Sequence, residues 1–87
     1  MTLGTRHSVY LRVVSAPIDR DDTVQFDRDE QIVKAVGRVS PDTGYDWEAN
    51  ERYHGWNYLR DRQDGEAIGK AILAVAKLPH VVRVEVL

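Results

Sequence analysis

The chain has 87 residues, no cysteine and a net charge of −2. That length fits one domain, and the missing cysteine excludes a disulfide framework and any thiolate metal site. A slightly acidic balance argues against a dominant attraction to nucleic acid or to anionic lipid.

Ser8 to Ser15 alternates in character, with Val9, Leu11 and Val13 on one side and Tyr10, Arg12 and Val14 on the other. A period of two is the pattern of a half-buried strand. Pro17 ends it, and Asp19 to Asp22 reads as a charged connection leading to a short extended piece at Thr23 to Phe26. Asp27 to Ser40 supports two readings. As a helix, Asp27 is the N-cap, Glu30 completes a capping box, and Ile32, Val33, Val36 and Val39 fall on one face. As a strand, the run Ile32 to Ser40 is rich in β-branched residues and Gly37 is out of place in a helix. The helix gives the simpler topology and is the reading adopted. Tyr45 to Ala49 and Arg52 to Arg60 then read as two aromatic-rich strands joined near Asn50 and Glu51.

The C-terminal third has the clearest pattern. Asp64 is placed to cap a helix, and Ile68, Ala71, Ile72, Val75 and Leu78 form its apolar stripe. Pro79 stops it. Val82, Val84 and Val86 alternate with Arg83 and Glu85, which describes a terminal strand with one buried face. In chain order the elements are β-α-β-β-α-β: a small α+β two-layer sandwich of ferredoxin-like arrangement, in a single domain spanning 1–87. With Ile32 to Ser40 as a strand, the fold becomes an antiparallel β-meander with one helix before the last strand.

Motifs that carry chemistry are sparse. Gly65 to Lys70 has three residues between its glycines and Ala71 after the lysine, so it lacks the spacing and the hydroxyl of a phosphate loop. Gly69 is expected where the helix packs closely on the sheet. His7, His54 and His80 have no second ligand at metal-binding spacing, and no metal or cofactor is implied. The acidic run from Asp19 to Glu30 lacks the glycine and distal glutamate of a calcium loop and reads as solvated. An acid–base pair of His54 with Asp46 or Glu48 is the one enzymatic alternative, and the balance leans away from an enzyme.

Arg52 to Arg60 concentrates the informative residues. In a strand, Arg52, His54, Trp56, Tyr58 and Arg60 share one face, and Tyr10 and Arg12 of the first strand are expected to join them on the side the helices leave open. A contiguous aromatic and arginine patch marks a contact surface. The expectation is therefore a non-enzymatic protein-interaction module or small regulator, acting on a protein partner or on itself as a homodimer. Nucleic acid is a less favoured partner. Val9-Tyr10-Leu11 and Arg52 with His54-Gly55-Trp56 resemble the first- and third-strand motifs of RNA-recognition domains, which implies base stacking on the sheet. Tyr53 stands where that motif has glycine and Asn57 where it has an apolar residue. The competing structural reading makes the same aromatics core, with the strand's two faces exchanged. No apolar run approaches the roughly 20 residues that span a bilayer. Met1 to His7 lacks the apolar centre of a signal peptide. The expected setting is cytoplasmic, without a membrane partner.

Overall fold

A computed structural model describes residues 8–87, so the readings made for Met1 to His7, His7 included, lie outside the described residues. The element order is β1 (Ser8–Ser15), α1 (Asp22–Val36), β2 (Asp42–Asp46), β3 (Glu51–Leu59), α2 (Arg62–Val75) and β4 (Val81–Val86). The four strands form one antiparallel sheet in the order β2-β3-β1-β4. With two helices on the sheet this is the ferredoxin-like α+β two-layer sandwich, and the single-helix meander is set aside.

The boundaries of α1 differ from the sequence expectation. The helix starts at Asp22, and its N-cap is Asp21, whose carboxylate accepts hydrogen bonds from the backbone N–H groups of Thr23 and Val24 at 2.9 and 3.3 Å. Asp27 is therefore inside the helix, and Thr23 to Phe26 is helical rather than extended. Both Asp21 and Asp27 are competent caps by residue type, but Asp21 has the extended backbone that a cap needs. Gly37 ends the helix in the left-handed region, φ 80°, donating its N–H to the Val33 carbonyl. The glycine that weakened a mid-helix reading is thus the terminator of the helix.

The C-terminal helix is also longer at its start. Asp61 is the N-cap of α2, accepting from the Asp64 N–H at 2.7 Å. Asp64 sits in the first turn and accepts from the Leu59 N–H at 2.7 Å, which ties the end of β3 to the helix. Gly69 faces solvent, and no atom lies near where a methyl there would project, so it makes no close approach to the sheet. Of the valines in β4, Val81 and Val84 pack against the core while Val82 and Val86 are about half exposed.

The core lies between the helices and one face of the sheet. It consists of Leu11 and Val13 from β1, Trp56 and Tyr58 from β3, Ile32 from α1, and Ile68, Ala71 and Val75 from α2.

Candidate functional site

The pairing of β1 with β3 decides the fate of the aromatic strand. Leu11 lies opposite Trp56, Val13 opposite His54 and Val9 opposite Tyr58. Residues directly opposite in an antiparallel pair point to the same side. Since Val9, Leu11 and Val13 face the helices, so do His54, Trp56 and Tyr58, which are 1%, 4% and 3% exposed. The expected open-face patch is corrected accordingly. His54, Trp56 and Tyr58 belong to the core, while Tyr10 and Arg12 lie opposite Asn57 and Gly55 on the other side. Arg52 is on the covered side at the sheet's margin, and Arg60 is exposed beyond the end of β3. The seven residues expected on one surface are therefore divided between two.

On the covered side, α1 meets the start of β3 through Asp29. Near the strand's start, the Arg52 guanidinium clasps Asp29 of α1, donating from Nε at 3.0 and 3.2 Å and from Nη2 at 2.9 Å. Gln25, one turn earlier, donates to the same carboxylate at 2.8 Å, and its own amide oxygen accepts from the Asp19 N–H. His54 Nε2 stands 3.6 Å from Asp29 Oδ1, longer than a hydrogen bond. Burial pushes His54 below its ordinary pKa; Asp29 opposes this, and the positive charge of Arg52 and the proximity of His80 reinforce it. The neutral imidazole is thus the form the fold accepts. Toward the strand's other end, Arg38 stacks over the Tyr58 ring at 4.2 Å. His54 Nδ1, Trp56 Nε1 and the Tyr58 hydroxyl have no hydrogen-bond partner among the described residues.

These contacts bear on the enzymatic alternative. Asp46 lies on the opposite side of the sheet from His54, and Glu48 is in the exposed turn after β2, so neither carboxylate meets the imidazole. The carboxylate that does approach it, Asp29, comes from a helix and is already engaged by Arg52 and Gln25. A catalytic base must reach substrate, and His54 is enclosed. Among the described residues no group of three or more histidines and carboxylates is arranged to hold a metal ion.

The open side carries a different set. Tyr53 faces Gly44 across β2 and β3, and its ring occupies the space a side chain on Gly44 would fill. Tyr10 lies over Gly55 in the same way. Each glycine lets a neighbouring tyrosine lie down on the sheet, an arrangement that also shields the bare backbone of the glycine. Between them, the Arg12 guanidinium stands 4.9 Å from the centre of the Tyr53 ring and 6.0 Å from that of Tyr10, within cation–π range. Burial and the nearby Asp42 push the Tyr10 phenol up, so it stays protonated at neutral pH.

Arg12 also pairs with Glu85 at 3.5 Å, and Arg83 pairs with Glu51 at 2.8 Å and Glu85 at 3.0 Å. These residues rim a shallow depression of about 40 Å³ lined by Arg12, Val14, Asp46, Glu51, Tyr53 and Arg83. Tyr53 was absent from the expected surface, although its sequence neighbours gave a signal. Tyr53, Gly55, Asn57 and Leu59 make a poor core face, so that set belongs outside. One more aromatic stands apart: Trp47, in the turn after β2, is 83% exposed and meets Tyr45 edge to face at 4.6 Å. No family model, curated protein or solved structure matches this chain.

Proposed function

We propose that this domain is a non-enzymatic protein-interaction module whose contact surface is the open sheet face centred on Tyr10, Arg12 and Tyr53. The observation that carries the reading is the pair of tyrosines laid over Gly55 and Gly44 on the side without helices. Flat tyrosines with an arginine between them present a large, rigid contact area at little entropic cost, and both residue types are enriched at interface hot spots.

The charge pattern favours a different protein over a second copy of this chain. The face carries Asp42, Asp46, Glu51 and Glu85 against Arg12 and Arg83, two more acids than bases. Two such faces brought together would repel, whereas a partner presenting basic groups would be attracted. The same acidity disfavours a phosphate backbone.

The test is affinity capture from the native host with the wild-type chain and a Tyr10→Ala/Tyr53→Ala variant, each first verified as folded by circular dichroism. The expected result is a protein retained by the wild type and bound about thirtyfold more weakly by the variant, or about 2 kcal/mol. A Trp47→Ala variant should retain it. If only Trp47→Ala loses the partner, the contact surface is the hairpin tip and the proposal fails. Retention of single-stranded oligonucleotides that falls steeply with salt would also overturn it, in favour of nucleic acid.

A further inference from the structure

We propose that Asp29, Arg52 and His54 form an acid-sensitive latch that holds the first turns of α1 against the sheet.

The anchoring of α1 is uneven along its length. Ile32 is its one fully buried residue, and Val33, Ala35 and Val36, in the second half, pack partly against the core. In the first half, Val24 and Phe26 are exposed. What joins that half to the sheet is polar: Arg52 on Asp29, supported by Gln25, and His80, just before β4, whose Nε2 lies 3.2 Å from the Arg28 carbonyl. A helix held by two attachments of different chemistry can release one while keeping the other.

His54 makes the polar attachment sensitive to protons. Its ring is enclosed from every side. Val13 of β1 and Thr43 of β2 lie opposite it in the sheet, and both are uncharged. The charged or titratable groups facing it are Asp29 from α1, Arg52 from its own strand and His80 just before β4. Among the described residues Asp29 is the sole counter-charge, and Arg52 already holds both of its oxygens. With His54 neutral, the Asp29–Arg52 pair cancels. With His54 protonated, two cations face one carboxylate, and one of them is a ring only 1% exposed. The surplus charge must reach solvent, which is unfavourable while the site is closed. The strands beside His54 are fixed in the sheet, so hydration comes by lifting α1. Opening also exposes the unpartnered His54 Nδ1 to water, which offsets part of the cost.

The direction with pH follows from the lowered pKa of His54. Once α1 lifts, the imidazole returns toward its ordinary value of 6.5. The open state therefore binds more protons than the closed one at acid pH. The closed latch keeps its full advantage above about pH 6.5 and loses it progressively as the pH falls below that value.

The experiment is amide hydrogen exchange by NMR on the full chain between pH 7.5 and 5, corrected for intrinsic exchange rates. Protection of α1 amides from Gln25 to Glu30 should fall at least tenfold across this range, while the paired amides of β1 and β3 stay protected. His54→Gln should abolish that pH dependence; His80→Gln, which alters the contact with the Arg28 carbonyl, should shift α1 protection equally at every pH and leave the pH dependence in place. Joint loss of protection in α1 and the sheet means global unfolding and overturns the latch. So does protection that ignores pH, a His54→Gln variant that behaves as wild type, or loss of the response in His80→Gln. If His54→Gln does not fold, the wild-type His54 ring resonance decides. Its titration must track the loss of α1 protection, and a titration that does not overturns the proposal.

Discussion

The two helices lie on the same face of the sheet and are held there by different means. Helix α2 buries Ile68, Ala71 and Val75, spaced so that a continuous apolar stripe meets the strands. Helix α1 buries Ile32 alone and makes its main contacts with α2 rather than with the strands. Its further ties there are polar, the Asp29–Arg52 clasp and the contact of the His80 ring with the Arg28 carbonyl at 3.2 Å. Apolar burial is non-directional and insensitive to pH, whereas a clasp of charged groups depends on geometry and protonation. Two helices of similar length, 15 and 14 residues, thus have different vulnerabilities.

Three substitutions test this contrast. The largest effect is expected at the ground beneath the helices. Trp56→Ala removes the largest side chain of the core and should cost about 3–5 kcal/mol, enough to abolish cooperative unfolding in a domain this small. Urea denaturation measures it, and a loss below about 1 kcal/mol would return Trp56 to the surface. Next comes the single apolar anchor of α1: Ile32→Ala should cost about 2–4 kcal/mol. Val33, Ala35 and Val36 are only partly buried and cannot replace it, so exchange in the second half of α1 should quicken together with the first. The smallest effect is at the start of α2. Asp61→Ala removes its N-cap and should cost about 1 kcal/mol. Because the stripe of α2 remains, the helix should fray at Arg62 and Gln63 without detaching. Detachment of all of α2 on losing one cap would show that its anchoring is no firmer than that of α1.

Much of the architecture was legible in the sequence because it rests on local patterns. The stripe of α2 and the alternation in β1 each follow from spacing along the chain, although α2 ends at Val75 and Leu78 joins the core from beyond the helix. The start of α1 is not legible locally, because Asp21 and Asp27 are equally good caps by type and only backbone geometry separates them. The interaction surface was misassigned more seriously. The grouping of Arg52, His54, Trp56 and Tyr58 on one side of β3 holds, but the side was chosen wrongly. Alternation identifies two faces without saying which is covered. A shift of one residue in register exchanges them completely.

The buried polar contacts were beyond reach for a related reason. Asp29 and Arg52 are 23 residues apart, and a carboxylate within an acidic run looks like any other solvated charge. Nothing local distinguishes Asp29 from Asp27, although one clasps the sheet and the other is exposed. The same holds for Gly44 and Gly55. Each is the place where a tyrosine from another part of the sheet lies down.

The number and kind of elements in most of the chain, and with them the βαββαβ order, follow from local pattern. Those are consequences of periodicity, capping residues and proline placement, all of which act within a few residues. Only the tertiary structure decided which side of β3 faces the helices. It alone brought Asp29 to Arg52 and His54, and set Tyr10 and Tyr53 over glycines on the open side. These depend on strand register and helix docking. They are pairings between distant segments, in which the energy of the assembled core, rather than the preference of any one segment, selects the outcome.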